Sequence, residues 1–97
     1  MNKEGEWLVQ YMLSSTKLYL GVGKYPDKRT AIAAAYLALA THIDECCDID
    51  KYEYYMSPLY FLEGGEDLGI NVTYVDDGEH KIEAECTLVK LVENDNW

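Results

Sequence analysis

The chain has 97 residues, with 18 Asp plus Glu against 8 Lys plus Arg, three cysteines, and nine tyrosines within a 48% hydrophobic composition. One hydrophobic core is the expectation at this length, and the apolar content is that of a folded chain and not of a disordered acidic tail. The net charge of −10 opposes direct binding to DNA, RNA or an anionic membrane, whose phosphates the summed field repels.

The charge is unevenly placed. From Met1 to Thr41 five basic residues face three acids, a net of +2, whereas from His42 to Trp97 three lysines face 15 acids, a net of −12. Residues 1–6 lack the basic-then-apolar pattern of a secretory signal, and the longest apolar stretch, residues 31–40, is about half the length of a bilayer span. The odd cysteine count, with Cys46 and Cys47 adjacent, suits a reducing compartment. A soluble, cytoplasmic protein is expected.

In chain order, residues 7–13 and 17–23 read as a β-hairpin, the second strand turning Leu18, Leu20 and Val22 to one face. Pro26 and Asp27 then mark a helix start, with Asp27 as N-cap. The helix runs from Lys28 to about Cys46, with Ile32, Ala35, Leu39, Ile43 and Cys46 at helical spacing. Its many alanines favour close approach to a sheet. Residues 52–56 read as a strand that bends at Ser57-Pro58, because proline cannot continue a central ladder, and residues 59–62 extend it or form a short second piece. Residues 64–67 read as a loop.

Residues 69–75 and 81–88 alternate in polarity on either side of an Asp-Gly turn signal at Asp77-Gly78, the clearest hairpin of the chain. Ile70, Val72 and Tyr74 are expected to face inward with Ile82, Ala84, Cys86 and Leu88, while Asn71, Thr73, Glu83, Glu85 and Thr87 face out. The fold class is therefore α+β: a two-layer, single acidic domain over residues 1–97, one long helix on an antiparallel sheet of about five strands in the order ββαβββ. With one helix, one sheet face stays uncovered.

Nucleophilic catalysis needs a Ser or Cys beside a histidine that takes its proton, and the only histidines are His42 and His80. Cys46 lies one helical turn after His42, but the surrounding carboxylates raise the pKa of a thiol there, which is the wrong direction for a nucleophile. No catalytic residues are expected. His42, Asp44, Glu45, Cys46, Cys47, Asp48 and Asp50 have the residue types of a metal site without Cys-x-x-Cys or His-x-x-x-His spacing. The reading is a solvated acidic helix end with a partly exposed His42 and no metal or cofactor; a small metalloprotein using His42, Cys46 and Cys47 is the alternative.

The first 40 or so residues carry a Trp7-Leu8-Val9 strand, a second strand ending at Gly21-Val22-Gly23, and a Pro26-started helix with Ala31-Ile32-Ala33-Ala34-Ala35-Tyr36-Leu37-Ala38. This pattern resembles small phage-encoded accessory proteins of the ABA-sandwich type. The resemblance implies a phage or prophage accessory protein acting in the host cytoplasm, a class in which anti-CRISPR-like inhibitors of host defence are common.

Duplex DNA carries one charge per about 1.7 Å, so twelve excess negatives match on the order of 20 Å of duplex. The candidate surface comprises Asp44, Glu45, Asp48, Asp50, Glu53, Glu63, Glu66, Asp67, Asp76, Asp77, Glu79, Glu83 and Glu85, with Tyr52, Tyr54, Tyr55 and Tyr60 among them as aromatic contacts of the kind interfaces favour. The expected function is that of a non-enzymatic protein that blocks a basic, nucleic-acid-binding host protein by nucleic-acid mimicry. The alternative from another class is a structural or assembly module, a homodimer joined through the uncovered sheet face or an edge strand.

Overall fold

Pro26 and Asp27 end a strand and begin a helix, as the sequence predicts. The Asp27 carboxylate accepts the backbone N–H of Thr30 at 2.8 Å, and the helix then runs without interruption to Cys46. A computed structural model describes residues 6–17, 19–63 and 65–91. The elements are β1 (Trp7–Leu13), β2 (Tyr19–Tyr25), α1 (Lys28–Cys46), β3 (Tyr54–Met56), β4 (Tyr60–Phe61), β5 (Leu68–Asp76) and β6 (Glu79–Lys90). All pairings are antiparallel, in the order β2-β1-β6-β5-β3, with β4 also on β5. The expected facing of Leu18 and Leu20 rests on side chains outside the described residues.

Among the described residues the sheet has six strands, where about five were expected. Pro58 has no N–H to donate, so pairing along β5 lapses after β3 and resumes as β4. Ser57 bridges the gap: its N–H donates to the Asn71 carbonyl at 2.8 Å, and its Oγ accepts the Asn71 N–H at 2.9 Å.

The core lies between α1 and the middle of the sheet, from Val9 on β1, Leu68, Ile70 and Val72 on β5, Ala84, Cys86 and Leu88 on β6, and Ala31, Ala35 and Leu39 on α1. The small Ala35 lets the helix approach closely enough for Cys86 Sγ to reach its carbonyl at 3.8 Å. Two helix expectations need correction. His42 is buried, with 7% of its surface exposed, because it continues the stripe of Ala31, Ala35 and Leu39. Cys46 is exposed, because the last turn carries it to the rim of an open cleft beside Gly21 and Val22.

The β5–β6 hairpin corrects a further pair. Its turn has Asp77 at φ 51° and Gly78 at φ 79°, the two consecutive left-handed residues that a tight Asp-Gly hairpin requires. Counting back from that turn pairs Thr73 with Ile82 and would set Val72 against Glu83. Instead Val72 pairs with Ala84, and Glu83 is the extra residue of a β-bulge. The alternation of β6 reverses there. Glu83 faces the helix, its carboxylate 3.5 Å from His42, and Ile82 faces out at 48% exposure, the opposite of the expectation for both.

Leu39 is fully buried, whereas Leu37, two positions away, is 68% exposed. Leu39→Ala is expected to lower the unfolding free energy by about 2–5 kcal/mol and Leu37→Ala by less than about 0.5 kcal/mol, measured by urea denaturation. Equal losses would contradict this helix orientation.

Candidate functional site

The structure divides the acidic residues into separate groups. Asp44 and Glu45 occupy the last turn of α1, Asp48, Asp50 and Glu53 the connection to β3, and Asp76, Asp77 and Glu79 the β5–β6 turn. These three segments meet at one end of the molecule. Lys51 feels both Asp48 and Asp76, and the rings of Tyr52, Tyr54 and Tyr74 join the connection to β5 with centroids 5.2–6.4 Å apart. Lys51 also lies over the Tyr52 ring, 5.0 Å from its centroid.

Glu63, Glu66 and Asp67 precede β5, whose nine residues hold them roughly 26 Å from the first group. There Lys90 partly neutralises them: its ammonium is 3.4 Å from Glu66, and its backbone N–H donates to Asp67 at 3.2 Å. Glu85 lies on the face away from the helix, where it accepts the Tyr60 hydroxyl, and Asn71 also reaches that hydroxyl. Tyr60 crosses over Gly69, where even a methyl group would meet the ring at 2.5 Å. Tyr55 is half-exposed and donates to Glu53. The candidate residues thus form one large acidic end, one smaller group, and a Tyr60–Glu85 pair between.

The helix charges run against its dipole. Lys28 and Arg29 stand in the first turn and Asp44 and Glu45 in the last, with no acid in the first turn and no base in the last. Each such placement is unfavourable by about 0.3–1 kcal/mol at low salt. Among the described residues two lysine–carboxylate ion pairs form, Lys90 with Glu66 and, at the acidic end, Lys81 with Asp76 at 3.1 Å.

A second constellation lies beneath the end of α1. His42 hydrogen-bonds through Nδ1 to the Tyr11 hydroxyl, and its Nε2 is buried without a hydrogen-bond partner, 3.5 Å from the Glu83 carboxylate. Cys47, the residue after the helix, completes a triangle of His42, Cys47 and Glu83 donor atoms within 4.8 Å of one another. Burial, then Glu83, push the Cys47 thiol pKa up, and the Tyr54 hydroxyl, a hydrogen-bond partner of that thiol, pulls it back. Burial also pushes Tyr11 up to about 12, helped by the neighbouring thiols and Glu83. The cysteine beside His42 is therefore Cys47 and not Cys46. The missing member was Glu83, and the signal for it was parity: a two-residue turn pairs Tyr74 with an odd-numbered residue, while the apolar residues of β6 are even-numbered.

Tyr11 shares an alkaline limit with three further groups, Tyr54, Cys86 and Tyr60. Burial raises the Cys86 thiol from 9.0 to about 12, and burial with the Glu85 hydrogen bond raises Tyr60 from 10.0 to about 12. Both fold in the protonated form, so their stabilisation is complete below pH 9 and is lost as pH rises toward 12. Thermal melts followed by circular dichroism should show Tm falling from about pH 9, and in Cys86→Ala the fall should be shallower. A Tm level to pH 12 would contradict these environments. No family model, characterised protein or solved structure matches the chain.

Proposed function

We propose that this is a non-enzymatic binding protein, phage-encoded, whose acidic end occupies a basic nucleic-acid-binding surface of a host protein by presenting carboxylates where phosphates would lie. The observation that carries the reading is the gathering of eight carboxylates from three segments around one end, Asp44, Glu45, Asp48, Asp50, Glu53, Asp76, Asp77 and Glu79, against three lysines, Lys51, Lys81 and Lys17 of the adjoining β1–β2 turn. Mutual repulsion and the helix dipole both disfavour this arrangement in the free protein. A cationic partner relieves both.

Tyr52 and Tyr55 supply aromatic area beside those carboxylates, as protein interfaces favour. Glu63, Glu66 and Asp67 lie at the far end of β5 and fall outside this footprint.

The test is affinity capture of the host partner at low salt, followed by measured dissociation constants. Affinity is expected to fall about tenfold or more between 50 and 200 mM salt, with duplex nucleic acid competing. Combined Asp44→Asn, Glu45→Gln, Asp48→Asn and Asp50→Asn should abolish most of the binding, and combined Glu63→Gln, Glu66→Gln and Asp67→Asn should leave it within about twofold. An affinity level with ionic strength would sink the proposal.

A further inference from the structure

We propose that His42, Cys47 and Glu83 form a binding site for a zinc-class divalent metal ion. This is independent of the acidic surface and of any partner. The first observation is an imidazole nitrogen with nothing to do. Nε2 of His42 is buried, lacks a hydrogen bond, and faces Glu83 Oε1 at 3.5 Å, too far for a good hydrogen bond. In a tetrahedral zinc site, bonds of about 2.1 Å to N and O place those two donors about 3.4 Å apart. The His42–Glu83 separation already matches that edge.

The second observation is the third donor. With a Zn–S bond of about 2.3 Å, sulfur sits about 3.6 Å from the other donors. The three donor atoms here lie within 4.8 Å of one another, so a shift of Cys47 Sγ of no more than about 1.3 Å completes the triangle. Cys47 and Glu83 are both partly exposed and open a route from solvent to the buried nitrogen.

The donors are also held from behind. Tyr11 bonds the other ring nitrogen of His42, the kind of supporting contact that orients a metal ligand, and the Tyr54 hydroxyl is near enough to Cys47 to favour its thiolate. One nitrogen, one sulfur and one oxygen suit a borderline-soft ion such as zinc and not magnesium or calcium, which take oxygen alone. A neutral imidazole, a thiolate and a carboxylate balance a doubly charged ion. On binding, the Zn–S bond forms and the thiol proton leaves to solvent; the fourth position is left for water. The C-terminal end of α1 adds a favourable field for a cation.

The experiment uses the full-length protein stripped of metal with a chelator and titrated with Co²⁺. One equivalent should bind per chain with a thiolate-to-cobalt charge-transfer band and the intense ligand-field bands of a tetrahedral site. Zn²⁺ should displace the cobalt and raise Tm. Cys47→Ser should abolish the charge-transfer band and Glu83→Gln should weaken binding tenfold or more, while Cys46→Ser leaves both unchanged. Neither Cys47 nor Glu83 is in the core, and circular dichroism checks that the variants fold. Absence of a thiolate band in the parent protein, its persistence in Cys47→Ser, or its loss in Cys46→Ser would each overturn the site.

Discussion

Burial of one stripe of α1, Ala31, Ala35, Leu39 and His42, on the surface of β1, β6 and β5 is the interaction on which the remaining structure depends. Two of the four residues are alanine, so the helix axis comes close to the strands, and Cys86 packs directly beneath the Ala35 carbonyl. Full burial of a side chain such as Leu39 contributes about 1.5–3 kcal/mol, so the contact is strong enough to seat the helix along its length. The same close seating carries the last member of the stripe, a histidine, into a space between Tyr11 on β1 and Glu83 on β6. A polar residue in that place needs partners, and the strands supply Tyr11 directly.

The bulge in β6 settles a conflict between two local demands. The Asp-Gly turn fixes one register, under which Val72 would oppose Glu83, and core burial fixes another, under which Val72 opposes Ala84. A single extra residue satisfies both. It leaves Glu83 on the helix side of the sheet and Ile82 on the solvent side. An acid is thereby directed at the one buried histidine, and the price is an exposed isoleucine.

Electrostatics run the other way from stability at the acidic end. Asp27 caps the start of α1 well, but the end of the helix carries Asp44 and Glu45 and continues into Asp48 and Asp50, where the helix field already favours cations. The three nearby tyrosine rings bind the connection to β5 and keep these carboxylates together. Packing holds in place a charge arrangement that electrostatics alone would disperse.

Much of this was legible in the residues. The helix from Lys28 to Cys46, its Asp27 cap, the flanking hairpins and the acidic second half follow from local rules of capping, periodicity and turn chemistry, which act over a few residues. The sixth strand followed from Pro58 only once β5 was present to pair with both pieces. The direction of Glu83 was implied by the parity of the hairpin, yet alternation by itself pointed the other way. Sequence determined which segments are helix and strand and where charge accumulates, because those depend on neighbours along the chain. Only the tertiary structure decided that His42 is buried, that Cys47 and not Cys46 stands beside it, and that Asp76 joins Asp48 while Glu66 does not. Those are contacts between segments far apart in sequence, set by how closely α1 packs and by one inserted residue in β6.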